Sequence, residues 1–249
     1  MRLQMRHQAA MTTSWDDGHP MDQRIAELLA KYGLTGTFYI PMTNSRPVMA
    51  EREVQVLSGA FEVGAHTVHH AVLTEVPDAT AESEICESKK RLEEITGRPC
   101  EAFCFPKGQF RRSHLEMVRR GGFGCARTVE MLSTRFPMQG AGVYLIPTTV
   151  QARFQPWTSY LKNCAKRLGF QNTVNFFLYA RSRTWAEIAH SMMQAVVQHG
   201  GVFHLWGHSW EIEEQQQWPQ LESVLREMQE FRSSVPCVPN SRLGDLEQN

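Results

Sequence analysis

Apolar runs that look buried alternate with amphipathic runs along almost the whole chain, and this alternation constrains the fold more than any other feature. MTTSW (11–15) reads as a strand. Residues 20–32 read as a helix with Ile25, Leu28, Leu29 and Tyr32 at helical spacing, and GTFYIP (36–41) as a strand closed by Pro41. FEVGAH (61–66) is the next strand, followed by a helix from Asp78, its expected N-cap, to a stop at Gly97. EAFCFP (101–106) and GCARTV (124–129) are predicted strands on either side of the helix HLEMVRRGG. Residues 157–168 read as a helix, and 172–179 fit either a strand or a second apolar helix. A helix over 184–201 leads into the strand GVFHLWGH. In the last helix Trp218, Leu221, Val224, Leu225, Met228 and Phe231 form one apolar stripe, which is core.

Strands alternating with helices predict parallel βα units. No repeat, low-complexity tract or long linker interrupts the 249 residues, a length that one α/β barrel accommodates. In such folds chemistry gathers at the C-terminal ends of the strands. The polar clusters Asp16-Asp17, 66–70, 106–108 and His208 all fall where a predicted strand ends.

Adjacent carboxylates on an extended segment point in opposite directions, so Asp16 and Asp17 can do two different jobs, although D-D-G is also a common turn. In GAHTVHH, His66 and His70 are spaced to share one side of a helical turn. Two imidazoles and a carboxylate from elsewhere make a catalytic metal set with positions left open for water. His69 is read as exposed or as an outer partner of the cluster, and Thr67 as bonding a neighbouring backbone group.

SWDDG followed by HTVHH resembles the first two motifs of the polysaccharide deacetylases, the NodB-homology group of carbohydrate esterases. The resemblance runs from about Thr12 to a strand expected near Val235. It implies an α/β fold, a single-domain distorted (β/α)7-type barrel over residues 12–240, with a flexible leader (1–11) and a C-terminal tail (241–249). It further implies one divalent metal ion, zinc first with cobalt or nickel as alternatives, on Asp17, His66 and His70, and Asp16 as general base. FCFPKG falls where the family has Arg-x-Pro-x-Gly: Pro106 and Gly108 match as groove residues, but Cys104 stands in the arginine's place. Arg127 in GCARTVE is the candidate replacement, the alternative being a solvated surface arginine. In LWGH, His208 matches the histidine that protonates the leaving amine, with Trp206 as its apolar neighbour in the groove. His204 shares that strand face, either as the acid instead or as a packed, hydrogen-bonded core histidine. Glu211 and Glu213 are expected in a loop, solvated unless Glu211 touches substrate.

The activity implied is metal-dependent hydrolysis of an N-acetyl amide on a sugar. The alternatives are deformylation or hydrolysis of a small non-sugar amide or cyclic imide, and a metal-binding protein without turnover. Lys+Arg and Asp+Glu both number 26, which leaves no net field to gather nucleic acid or anionic membrane, so a polyanion partner is disfavoured. The N-terminus has no apolar signal region, and no apolar run of ~20 residues could insert in a bilayer. A cytoplasmic enzyme acting on a small or sugar-conjugate substrate is therefore expected. The cysteines, without paired spacing, are expected to be reduced thiols. The apolar and basic stretch 156–183 (Trp157, Tyr160, Leu161, Phe170, Phe176, Phe177) is expected to pack into the core rather than cap the groove or form a dimer contact.

Overall fold

The structure, a computed structural model, describes residues 8–167, 170–180 and 183–246. The elements follow in the order β1 (Ala9–Asp16), α1 (Asp22–Lys31), β2 (Thr37–Ile40), α2 (Glu51–Ser58), β3 (Glu62–Ala65), α3 (Asp78–Thr96), β4 (Ala102–Cys104), α4 (Arg112–Arg120) and β5 (Cys125–Arg127). Next come β6 (Met138–Gly140), β7 (Val143–Ile146), β8 (Val150–Gln151), α5 (Trp157–Arg167) and α6 (Phe170–Asn175), the last continued by a π-helical turn, Phe176–Ala180. The chain then forms α7 (Trp185–His199), β9 (Gly201–Gly207), α8 (Ser209–Glu214) and α9 (Trp218–Phe231), and ends in the turn Leu243–Leu246.

The strands build one curled sheet in the order β6-β7-β5-β4-β3-β2-β1-β9-β8, parallel except for the β6/β7 hairpin. It is an open half-barrel in a single α/β domain, in keeping with the (β/α)7-type expectation. β1, an interior strand between β2 and β9, is buried from Ala10 to Asp16. Three polar residues inside it are tolerated because each finds a partner: Thr12 bonds Asn240 (2.8 Å), Thr13 donates to the Thr35 carbonyl (3.1 Å), and Ser14 meets His204 Nε2 (2.8 Å). β3 can lie between β2 and β4 because Gly64 has no side chain; a Cβ there would sit 2.6 Å from the Tyr39 ring.

The differences from expectation have local causes. β1 begins at Ala9, inside the predicted leader, because it pairs along its whole length with β9 from Ala9↔Gly201 onward. The rest of that leader, residues 1–7, lies outside the described residues. In the predicted tail, Leu243 is fully buried and packs with Tyr39 and Ile146; 247–249 lie outside the described residues. No strand forms near Val235; a single parallel bridge joins Met11 to Cys237. Pro77 takes the cap position expected for Asp78, without a side-chain cap bond, while Gly97 closes α3 in the left-handed conformation as expected. Residues 172–179 are helical. The stretch 156–183 divides: Tyr160 and Phe176 are core, whereas Trp157, Leu161, Phe170 and Phe177 are exposed. The cysteines are free thiols.

Candidate active site

Parallel pairing brings the ends of β1, β2, β3, β4, β5 and β9 to one rim. Asp16 and Asp17 leave it where β1 turns at Gly18, and Asp17 has φ 77°, a left-handed conformation that costs a non-glycine residue energy and is typical of functional sites. The turn is tight: a Cβ on Gly18 would lie 2.7 Å from Ile40. The 66–70 segment is not the helical turn expected. Thr67 and His70 both have positive φ, and the Thr67 hydroxyl accepts from Ala71 N–H at 2.9 Å, so the loop folds back on itself. Glu84, on the core side of α3, accepts from the amides of Val68 (2.8 Å) and His69 (2.9 Å) and from His69 Nδ1 (2.5 Å). The His69 ring is mostly exposed.

The folded loop and the β1 turn place Asp17, His66 and His70 together, with ligand atoms within 4.8 Å of one another. Asp17 Oδ1 lies 3.2 Å from His70 Nε2 and 3.9 Å from His66 Nε2. His66 Nδ1 bonds the Cys104 carbonyl at 2.9 Å, so as a neutral ring it carries its proton there and turns the Nε2 lone pair toward Asp17. Burial pushes the His66 pKa down to about 4, with help from His70 and against Asp16 and Asp17, so the ring stays neutral at pH 7. Asp17 Oδ2 accepts from Trp210 Nε1 at 3.0 Å, while Oδ1 is buried and has no hydrogen-bond partner among the described residues. A buried carboxylate oxygen without a donor, facing two imidazole nitrogens, fits a divalent cation.

Asp16 turns the other way. Its Oδ2 is bound by Arg127 Nη2, and its Oδ1 is buried without a hydrogen-bond partner among the described residues. Burial would raise the Asp16 pKa, but Arg127, His66 and His208 overrule it and hold the carboxyl below its ordinary value. Arg127 is fully buried, not a solvated arginine, and lies 4.6 Å over the Trp206 ring. His208 caps α8, with Nε2 at 3.9 Å from both Asp16 Oδ2 and Asp17 Oδ2. Its Nδ1 bonds Glu211 at 2.7 Å. Burial opposes charge on His208, yet the Glu211 bond and the carboxylates of Asp16 and Asp17 win, and its pKa is raised. Two carboxylates of distinct environment and the imidazoles of His66, His70 and His208 thus face one mouth, where the His70 and His208 side chains are 21% and 18% exposed.

Residues 5–126 match the family model for polysaccharide deacetylases. This half of the chain is a polysaccharide deacetylase domain. The match takes in both aspartates, His66 and His70. Solved deacetylase structures share the fold at low identity. One from Mycobacterium smegmatis, assigned to the polysaccharide deacetylases, is 14% identical with a TM-score of 0.70, covering 100% of this chain and 93% of that one. The chitin deacetylase of Colletotrichum lindemuthianum is 14% identical with a TM-score of 0.61, over 95% and 88% of the chains. A peptidoglycan deacetylase from Bacillus subtilis is 15% identical with a TM-score of 0.56, over 97% and 92%. A search of curated protein sequences finds no match.

The other groove residues of this deacetylase domain lie differently from expectation. Pro106 and Gly108 sit in a buried 3-10 turn, and a Cβ on Gly108 would come within 2.2 Å of Val129, so packing alone demands glycine there. Trp206 is buried against Arg127 rather than lining open space. His204 is a core histidine: Nδ1 bonds the Pro147 carbonyl (2.8 Å), Nε2 bonds Ser14, and burial together with Arg127 pushes its pKa down to about 3. Glu211 is on a helix and buried, gripped by Arg153 (2.5 Å) and Gln151 (3.1 Å); only Glu213 is solvated as expected. Burial pushes the carboxyl of Asp22, fully buried near the site, well above its ordinary value. Glu84 could have been found in the sequence, since it falls among the buried positions Ala81, Ile85, Ser88 and Leu92 of α3. Trp210 carried no such signal.

Proposed function

We propose that the chain is a metal-dependent amide hydrolase that removes an N-acetyl group from a sugar. The observation that carries this reading is the unpartnered, buried Asp17 Oδ1 facing His66 and His70, beside an Asp16 held by a buried arginine. Asp17, His66 and His70 would hold a divalent ion, zinc by the chemistry of the set. Such an ion supplies Lewis acidity, polarising the amide carbonyl and acidifying water.

The chain's own groups supply the proton transfers. Asp16, kept ionised by Arg127, takes a proton through its free Oδ1 from the attacking water. Hydroxide adds to the carbonyl carbon, and the C–N bond then breaks. His208, charged through its bond to Glu211, gives its proton to the departing amine, so acetate and a free amino sugar leave. A charged His208 also balances the two aspartates in a partly dry site. We place the enzyme in the cytoplasm, with a nucleotide- or lipid-linked precursor of a surface polysaccharide as substrate.

The test combines metal analysis with product analysis. Purified protein is expected to carry one zinc per chain and to release acetate from N-acetylated sugars. His66→Ala and His70→Ala should lose both metal and activity. Stoichiometric metal in both variants would overturn the ligand set. The displacement of the groove arginine from β4 to β5 favours one second reading, a different acyl group or a smaller amide; formate release, or cleavage of a cyclic imide in place of a sugar amide, would establish it.

A further inference from the structure

A surface helix buries one apolar stripe, but the α5–α6 segment carries two. The inner stripe is Tyr160, Cys164 and Phe176, all buried. The outer one is Trp157 and Leu161 on α5, and Phe170, Val174, Phe177 and Leu178 on α6 and its π-helical continuation. Both outer runs repeat at helical spacing, so each forms a continuous ridge, and Phe170 and Phe177 are 84% and 61% exposed. Scattered exposed apolar residues need no explanation, but two adjoining ridges do.

Charge identifies the occupant. Residues 131–186 contain no Asp or Glu, yet they include Lys162, Lys166, Arg167, Arg181 and Arg183. The chain's zero net charge therefore conceals a cationic segment whose balancing acids lie elsewhere. Lys162 and Lys166 are exposed on the same helix as Trp157 and Leu161. Aromatic and aliphatic ridges beside lysines make up the surface of a helix lying in a lipid interface.

We infer that the α5–α6 face docks on an anionic lipid bilayer. A second copy of the chain is a poorer occupant, because a two-fold contact would set the cationic face against itself. Nucleic acid is poorer too, because Leu161, Val174 and Leu178 offer nothing to phosphates or base edges. No helix among the described residues is long and apolar enough to cross a membrane, so the contact is peripheral. The chain enters this face directly from the active site: Arg153 holds Glu211, the next residue, Phe154, is exposed and donates its N–H to Gln215 at 2.7 Å, and α5 begins at Trp157. Docking would present the mouth to the bilayer surface, which suits an N-acetyl sugar on a lipid carrier. That last step rests on the function proposed above; the docking does not.

The test uses the full chain and sedimentation with vesicles of phosphatidylcholine, with and without an equal share of phosphatidylglycerol. Wild type is expected to pellet with the anionic vesicles, less at high salt, and not with the neutral ones. Lys162→Glu/Lys166→Glu and Phe170→Ser/Phe177→Ser should each weaken vesicle binding about tenfold or more, with unchanged turnover of a soluble N-acetyl sugar and unchanged melting. No binding by wild type, or equal binding by both variants, would overturn the proposal. So would a dimer dispersed by Phe170→Ser/Phe177→Ser, or RNA binding lost with the lysines alone. If soluble sugars are not hydrolysed but vesicles bind, the catalytic reading fails and the docking surface stands.

Discussion

Cys104 and Arg127 are register partners on the adjacent parallel strands β4 and β5, so their side chains leave the sheet on the same face. The arginine absent from the Arg-x-Pro-x-Gly position is thus supplied one strand over, and it reaches Asp16. Burial pushes the Cys104 thiol well above its ordinary range, so it stays neutral and adds no competing charge. The site needs a guanidinium at this point in space, and two neighbouring strands can provide it.

Arg127→Met is therefore expected to leave Asp16 buried without its counter-ion. Breaking a buried pair by removing one partner costs about 3–5 kcal/mol, to be read from urea unfolding. The Asp16 pKa should rise, and turnover should fall by about 100-fold or more, the size of a lost general base, while metal content stays intact. Cys104→Arg placed in the same variant should restore part of the rate. Unchanged turnover in Arg127→Met would remove the arginine from the mechanism.

Glu211 acts on His208 rather than on substrate. With burial opposing charge on the imidazole, the Glu211 bond is the leading contribution that keeps its pKa raised. A general acid is lost as pH rises through its pKa. Glu211→Gln should therefore move the alkaline limb of the pH–rate profile to lower pH, with KM little changed. His208→Ala should cost about 100-fold in kcat and spare the metal. An unshifted alkaline limb in Glu211→Gln would leave Glu211 a purely structural contact.

Neighbouring histidines should separate sharply. His69→Ala removes a mostly exposed ring and is expected to change stability by no more than about 0.5 kcal/mol, with full metal content. Glu84→Gln weakens the acceptor for two loop amides and should lower metal affinity about 10–100-fold, as loss of an outer-shell support does. Competition with a chelator of known affinity measures both. Equal affinity in Glu84→Gln and wild type would show that the loop holds its shape without that carboxylate.

Much of the strand–helix order was legible because apolar periodicity and turn residues act locally. Asp16, Asp17, His66 and His70 were legible as a group because each ends a strand run or follows one. The β6–β8 strands were not: Met138–Gly140 is largely exposed and Val150–Gln151 pairs only through β9, so neither has a period of its own. The shape of the 66–70 loop was missed because positive φ at Thr67 and His70 depends on Glu84 from another element. Glu211 was misread as a loop acid because its burial comes from Arg153 and Gln151, remote in sequence. The basic, apolar character of 156–183 was legible too, but the exposure of Trp157, Leu161, Phe170 and Phe177 was not, because tertiary packing decides which helical stripe is buried.

His204 offers a test of core against catalysis. Both ring nitrogens are committed, to Ser14 and to the Pro147 carbonyl, and its folded pKa of about 3 lies below the unfolded value of about 6.5. The unfolded chain therefore takes up this proton first as pH falls. The resulting stability is full above pH 6.5 and is lost progressively toward pH 3. Between about pH 6.5 and 5 the loss is about 2 kcal/mol from this residue, with His66 adding in the same direction. In His204→Gln, where an amide can keep both hydrogen bonds, the urea midpoint should fall less between pH 7 and 5 than in wild type. Turnover at neutral pH should stay within about tenfold, because a histidine with no free nitrogen cannot donate to substrate. A drop of about 100-fold, the size of a lost general acid, would return the proton-donor role from His208 to His204.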